Sequence, residues 1–277
     1  MNGSPAPPRR PAVRVTLAQL TVSNDRQASR EAAVDALRIA QRSASDLVVL
    51  PEYASGYHQL GVGVDLSEPL DGPFVSLLRD QAARAHVAVI AGTLVPSSAD
   101  PTLAVNVVVA IDATGDLVGA YRKVHLYDAF GQRESDRLEA GPVDAPPLVL
   151  PVAGLRFGVI TCYDLRFPES ARRCVDAGAN VLVVPAAWVE GPQKAMHWRT
   201  LAIARAIENT AAVVAVGQAG RGLVGRSLVV GPDGEVGLEM DERPAVRTAD
   251  LDAERLGAVR EANPSLANRR YSVVPRR

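Results

Sequence analysis

Three residues with reactive side chains each stand at the end of an apolar run typical of a β-strand. These residues are Glu52, Lys123 and Cys162. Ligands bind beyond the carboxyl ends of the strands in open α/β sheets, so we expect the three side chains to share one site. A cysteine, a carboxylate and a lysine together could attack an acyl carbon and hydrolyse the bond to its leaving group.

The proposed chemistry needs these residue types. A free thiol has a pKa of about 8.5 and requires a base or a positive charge to become a nucleophile. Glu52 can serve as that base for Cys162. Lys123 and the backbone N–H of Tyr163 can stabilise the oxyanion. Alone, each side chain would be interpreted as structural, and a lone cysteine that closes an apolar strand is more often an inert core residue. Their joint placement favours catalysis.

Several side chains near these strand ends are candidates for substrate binding. Tyr53 and Tyr163 directly follow Glu52 and Cys162, and Trp188 follows another apolar run. Each could form a wall of the pocket or pack in the core. Arg166 could bind a substrate carboxylate through two hydrogen bonds, or form a structural salt bridge.

Histidine and the second cysteine offer alternative chemistry. The chain has four histidines without the short spacings typical of metal sites, so no metal is predicted. A papain-like pair of Cys162 with His125 or His197 stays open, because such partners are adjacent in space and not in sequence. Cys174 lies in a helical stretch of small and charged residues and is interpreted as structural.

The elements that must position these residues alternate between β and α patterns. Strands are predicted at 13–18, 47–50, 87–94, 105–111, 117–121, 155–161, 181–184, 212–216, 227–230 and 246–250. Helices are predicted at 25–42, 73–85, 168–177 and 193–209. Because 105–111 and 117–121 flank a turn sequence, they read as a hairpin, and the sheets must be mixed. The pattern predicts an α/β fold with sheets inside and helices outside.

One domain over residues 12–277 is the simplest organisation, since no long polar linker divides the chain. Residues 1–11, rich in Pro, Ser, Gly and Arg, are predicted to be a disordered tail. From about residue 252 the chain turns polar and irregular, and we expect this segment to pack on a partner subunit.

Composition narrows the classes of partner. Lys plus Arg number 30 against 31 for Asp plus Glu, which leaves no overall field for nucleic acid. Apolar runs are too short for a membrane span. Both cysteines are interpreted as free thiols, which together with the absence of a signal sequence indicates a cytoplasmic protein.

Three segments resemble the signature segments of the nitrilase superfamily of carbon–nitrogen hydrolases. These are Leu-Pro-Glu at 50–52, Tyr-Arg-Lys-Val-His-Leu-Tyr-Asp at 121–128 and Thr-Cys-Tyr-Asp-Leu-Arg-Phe-Pro-Glu at 161–169. The resemblance covers nearly the whole chain. It is strongest to the amidase branch, which includes deaminated-glutathione amidase and ω-amidase-like enzymes, through the residues from Met196 to Glu208.

The resemblance implies a fold and a site. The family fold is a four-layer αββα sandwich with two mixed sheets inside. Its catalytic triad corresponds here to Glu52, Lys123 and Cys162, and a second family glutamate corresponds to Glu134 rather than Glu139. Members commonly form homodimers or larger homo-oligomers, and the reaction requires no cofactor.

The implied reaction is hydrolysis of a small amide to ammonia and a carboxylic acid through a thioester on Cys162. Two alternatives use the same triad, namely a nitrilase and an N-carbamoyl-acid amidohydrolase. A third is of another class, a catalytically silent module for binding or assembly. The presence of all four catalytic residues favours an enzyme.

Overall fold

A computed structural model describes residues 12–276, so the predicted tail at residues 1–11 lies outside the described residues. Its strands are β1 (Ala12–Gln19), β2 (Leu47–Val49), β3 (Ala88–Pro96), β4 (Ala104–Ile111), β5 (Leu117–Arg122), β6 (Val149–Val152), β7 (Leu155–Val159), β8 (Val181–Ala186), β9 (Ala212–Gly217), β10 (Leu228–Val230), β11 (Val236–Glu239) and β12 (Ala245–Asp252). Its α-helices are α1 (Arg26–Arg42), α2 (Pro73–Ala85), α3 (Pro168–Asp176), α4 (Lys194–Asn209) and α5 (Ala253–Ala262).

The strands form two mixed sheets of six strands each. The first sheet has the order β12-β1-β2-β3-β4-β5, and the second has the order β11-β10-β9-β8-β7-β6. In the first sheet β2 is parallel to β1 and β3, and β4 is antiparallel to both β3 and β5. Strand β5 therefore runs in the same direction as β2. In the second sheet β7, β8 and β9 are parallel.

The two sheets pack face to face around one apolar core. Alternate residues of β2 show why: Leu47 and Val49 point into the core between the sheets, whereas Val48 points to the helices outside. Helices α1 and α2 cover the outer face of the first sheet, and α3 and α4 cover that of the second. The predicted αββα sandwich is confirmed.

Local sequence signals set the ends of several elements. Asp25 caps α1 by accepting hydrogen bonds from the N–H groups of Gln27 and Ala28, so the helix begins one residue after the predicted start. The predicted hairpin is β4 paired with β5, and its turn contains Gly115 at φ +88°. That backbone conformation favours glycine.

Two short edge strands and one helix were not predicted. Strands β6 and β11 lie at sheet edges, contain Pro151 and Gly237, and so carry weak strand patterns. The segment after residue 252 is not irregular at first, since it forms α5. The carboxylate of Asp252 caps this helix, and Leu256 is buried in the core between the sheets. Because Leu256 is the one buried apolar residue of this polar helix, the sequence shows little of the periodic pattern that predicts helices.

Candidate active site

Glu52 lies just beyond β2 and is completely buried. Its Oε1 accepts hydrogen bonds from Asn106 Nδ2 at 2.7 Å and Lys123 Nζ at 2.9 Å, and its Oε2 accepts one from the N–H of Ala187 at 2.7 Å. The neighbouring strand β3 passes so close that a Cβ at Gly92 would lie 2.5 Å from the Glu52 Cα. Glycine is therefore required at position 92. The hydrogen bonds from Asn106, Lys123 and Ala187 hold the carboxylate from both sheets.

Lys123 directly follows β5, which ends at Arg122, one residue beyond the predicted end of this strand. Its N–H donates to the carbonyl of Asn106 at 2.9 Å. Its ammonium lies 2.9 Å from carboxylate oxygens of both Glu52 and Glu134, and its side chain is 1% exposed. Burial lowers the pKa of Lys123, but the carboxylates of Glu134 and Glu52 outweigh burial and hold it well above its ordinary value. Lys123 is therefore charged at neutral pH.

Glu134 begins a short 3₁₀ helix and completes this buried chain of charges. Besides Lys123, its carboxylate accepts hydrogen bonds from the hydroxyl of Tyr53 and from the N–H of Tyr127 at 2.7 Å. Glu139, the alternative weighed from the sequence, instead pairs with Arg122 at 2.5 Å. The structure thus places Glu134, and not Glu139, next to Lys123.

Cys162 does not close a strand, because β7 ends at Val159. It begins a 3₁₀ helix, Cys162–Arg166, in a left-handed conformation with φ +45°. Non-glycine residues seldom adopt this conformation, and it is common at functional sites. Burial and the nearby Glu52 carboxylate raise the pKa of the thiol well above its ordinary value, although Lys123 opposes them. The resting side chain is a thiol, which must lose its proton before or during attack.

A buried carboxylate, Asp164, joins the cysteine turn to the lysine segment. Its side chain accepts a hydrogen bond from the N–H of Thr161 at 3.1 Å, as part of a capping box. It also accepts bonds from the Tyr121 hydroxyl at 2.7 Å and from the N–H of His125 at 3.2 Å. Because these partners come from the ends of two different sheets, Asp164 fixes the spacing between the lysine and the cysteine.

A cavity of about 540 Å³ opens onto Glu52, Lys123, Glu134 and Cys162. Among the predicted binding residues, Tyr53, Tyr163 and Trp188 line it. Arg166 lies behind the cavity wall, with its guanidinium carbon 4.9 Å from the ring centroid of Trp188.

Sequence reasoning missed several residues of this cavity. Asn106 binds Glu52 from the neighbouring β4, and its place in an apolar strand, fully buried, was the available signal. Tyr127 and Lys194 line the wall, and Arg133, Arg137 and Arg221 stand around the opening. The three arginines had no distinguishing signal, because loops bring them together.

The other sequence candidates have different partners. His125 stacks on Phe167 with ring centroids 3.7 Å apart, and its Nδ1 lies 2.7 Å from Asp164. His197 Nδ1 lies 3.3 Å from Arg166. Neither His125 nor His197 lines the cavity that contains Cys162. Across residues 12–276, no group of three or more His, Cys, Asp and Glu side chains is arranged to hold a metal ion. No helix in that range is long and apolar enough to cross a membrane.

Comparison with known proteins identifies the family of this chain. The carbon-nitrogen hydrolase family model matches residues 14–261, so the chain belongs to this family and is a carbon–nitrogen hydrolase. It is 41% identical to a deaminated glutathione amidase of Escherichia coli O157:H7, over 88% of this chain and 92% of the relative. The predicted membership of the nitrilase superfamily is confirmed.

Solved structures share the fold. A CN-hydrolase superfamily protein of Xanthomonas campestris, with an arsenic adduct in its active site, has a TM-score of 0.82 and 28% identity, over 95% of this chain and 99% of the other. The NitFhit protein of Caenorhabditis elegans has a TM-score of 0.85 and 30% identity over 94% of this chain. The chain spans only 65% of that longer protein.

Proposed function

We propose that this protein hydrolyses the amide bond of a small molecule through a thioester on Cys162. The observation that carries this proposal is one buried chain of hydrogen bonds, Glu52 to Lys123 to Glu134, beside a cysteine at a cavity of about 540 Å³. A base, a cation and a nucleophile at one cavity are the elements of acyl transfer. The similarity to an enzyme named deaminated glutathione amidase supports an amide as the substrate.

In the first half-reaction, Glu52 accepts the thiol proton as the sulfur of Cys162 attacks the amide carbon. The raised pKa of the thiol makes this proton transfer necessary. An ammonium has three N–H groups, and Lys123 uses two of them on Glu52 and Glu134. The third, together with the backbone N–H of Tyr163, stabilises the oxyanion. Glu52 then returns the proton to the leaving nitrogen.

In the second half-reaction, Glu52 removes a proton from water as the water oxygen attacks the thioester carbon. The tetrahedral intermediate collapses, the acid leaves and the thiol of Cys162 regains its proton from Glu52. Glu134 keeps Lys123 charged and in place during both steps. The hydroxyl of Tyr53 holds Glu134, and burial followed by the charge of Glu134 raises the pKa of that hydroxyl, so Tyr53 stays protonated.

A panel of amides, nitriles and N-carbamoyl acids tests the reaction. We expect the highest kcat/KM on an amide, and an acyl adduct on the native chain by intact-protein mass spectrometry that Cys162→Ala lacks. A higher kcat/KM on a nitrile would indicate a nitrilase, and a higher kcat/KM on an N-carbamoyl acid would indicate an N-carbamoyl-acid amidohydrolase. A chain that is inactive on all three classes, with a thiol inert to iodoacetamide, would instead be the silent binding module.

We further propose a single domain over residues 12–277 that forms a homo-oligomer in the cytoplasm. The shared core between the sheets supports one domain.

Large apolar side chains exposed in the C-terminal segment, Tyr271 and Val274, support its packing on a second subunit. Light scattering of the full chain against a truncation at residue 263 tests the assembly, and an unchanged mass would contradict that role. The two free cysteines support the cytoplasm as the compartment, because thiols stay reduced there. Cell fractionation tests this location.

A further inference from the structure

The chain contains thirty cationic side chains, and only two of them, Lys123 and Lys194, are lysines. Both lysines line the cavity. Lys123 contacts two carboxylates, as described above. Lys194 has no carboxylate within ion-pair distance anywhere in residues 12–276, although it is only 5% exposed. A compact ammonium thus stands at two cavity positions in a chain whose other strongly basic side chains are arginines.

Aromatic groups surround the ammonium of Lys194. Its Nζ donates a hydrogen bond to the hydroxyl of Tyr127 at 2.5 Å. It lies 4.3 Å from the ring centroid of Phe130, 4.6 Å from that of Tyr127 and 5.6 Å from that of Trp188. Such contacts stabilise a cation less than an opposite charge does. Burial and the charge of Arg166 accordingly lower the pKa of Lys194.

Arg166 adds a second positive charge behind the same wall. Its guanidinium carbon lies 4.9 Å from the ring centroid of Trp188 and 5.7 Å from that of Phe130. Its buried Nε has no hydrogen-bond partner within the described part of the chain. Two neighbouring cations without a carboxylate partner make this wall strongly attractive for an anion, because an entering negative charge compensates both.

We infer that Lys194 is a specificity-determining residue that binds a carboxylate carried by the amide substrate. This inference rests on the proposed amide hydrolysis. The ammonium of Lys194 retains N–H groups for the ligand, and the Tyr127 hydroxyl, which accepts from Lys194, can donate its own proton to the same carboxylate. Arg166 strengthens the field from behind the wall. The substrate class is therefore a monoamide of a dicarboxylic acid or a peptide-like acid.

The test compares matched substrates on the full-length enzyme. Succinamate, glutaramate and adipamate carry a carboxylate at increasing distance from the amide, and butanamide, pentanamide and hexanamide carry a methyl group in its place. The measured quantity is the ratio of kcat/KM between each acid and its neutral partner. We expect Lys194→Met to lower the best ratio by about 50-fold, mainly through KM for the acid, because a charge-assisted hydrogen bond is lost.

Two further variants make the result specific. Arg199→Met removes a cation from the same helix outside the cavity and should leave the ratio unchanged, since Arg199 pairs with Glu239 at 2.9 Å. Lys194→Arg keeps the charge and should recover part of the ratio. An unchanged ratio in Lys194→Met, or an equal fall in Arg199→Met, would overturn the inference while amide hydrolysis itself stands.

A binding measurement separates this inference from the proposed reaction. With only two lysines, a chain labelled with ¹³C at lysine Cε gives two side-chain signals, and Lys194→Met identifies the one from Lys194. In Cys162→Ala, glutaramate should shift that signal and raise the pKa of Lys194, whereas pentanamide should do neither. If neither ligand shifts the signal, the carboxylate site is refuted. If glutaramate shifts it but the native enzyme hydrolyses no amide, the proposed function fails and the site remains.

Discussion

The two cysteines of this chain differ in their surroundings, and this difference is the reason why only Cys162 is proposed to be reactive. Cys162 and Cys174 are both free, both buried and both shifted to a raised thiol pKa. Cys174 lies inside α3, where its thiol donates to the carbonyl of Val159 at 3.5 Å. Cys162 stands in a left-handed turn at a cavity, beside Glu52 and Lys123. Burial is therefore common to both thiols, whereas only Cys162 lies beside the ion pair of Glu52 and Lys123.

The largest effect expected from this contrast is on turnover. Cys162→Ala should lower kcat/KM on the best amide by about 10,000-fold or more, because the nucleophile is lost. Cys174→Ala should change it by less than about threefold, since no reacting group touches that thiol. Steady-state ammonia or amine release measures both. Comparable losses in the two variants would remove the distinction.

A smaller but still large effect is expected at the base. Glu52→Gln should lower kcat by about 1,000-fold, since the thiol of Cys162 no longer has a proton acceptor. It should also slow alkylation of Cys162 by iodoacetamide at pH 7, because losing the base that takes the thiol proton during attack outweighs the lower thiol pKa that follows from removing the carboxylate charge. Peptide mass spectrometry follows the label, and Cys174 serves as the internal control that stays unlabelled. Alkylation of Cys162 at the native rate in the variant would show that Glu52 does not activate the thiol.

The next effect concerns the two glutamates that follow Lys123. Glu134→Gln should lower kcat by about 100-fold, because a neutral amide no longer balances the charge of Lys123 or fixes its position. The matched change Glu139→Gln should cost less than about threefold in kcat, since Glu139 contacts Arg122 and Ser97 outside the cavity. The reverse order of losses would move the role proposed for Glu134 to Glu139.

The smallest effect is on stability and comes from Cys174. Burial, with a smaller contribution from Asp164, raises the pKa of this thiol above its ordinary value, to about 12. Below about pH 8.5, the ordinary pKa of a thiol, the side chain is mostly protonated in both the folded and the unfolded chain. Above it, the unfolded chain loses the proton first, so the free energy of unfolding should fall by roughly 1 kcal/mol per pH unit. Urea unfolding from pH 8 to 10.5 measures this slope, and Cys174→Ala should reduce it. Equal slopes in both proteins would contradict the assignment.

Much of the site could be predicted because its members stand at recognisable strand ends. Short β-branched runs precede Glu52, Lys123 and Cys162, and carboxyl ends of parallel strands collect ligand-binding residues. The α/β class followed from the same alternation, and the αββα layers followed from the resemblance to the nitrilase superfamily. The short edge strands β6 and β11 and the helix α5 were missed because each carries few apolar residues in a regular period.

Lys194 carried a signal in the sequence that did not lead to its prediction as a site residue. As one of two lysines among thirty cations it was unusual, but nothing local connected it to Cys162. Its place at the start of α4 reads as an ordinary surface lysine. Only the packing of Tyr127, Phe130 and Trp188 around its ammonium distinguishes it from such a residue.

The sequence by itself determined the reactive residue types, the strand ends that carry them and the class of fold, because these depend on short-range patterns of polarity. The tertiary structure decided their contacts. Glu52 and Lys123 come from β2 and β5 of one sheet, whereas Cys162 comes from the other sheet. Asp164 and Asn106 set their distances through hydrogen bonds between segments far apart in the chain. Such contacts depend on how two sheets stack, and no local pattern of residues encodes that.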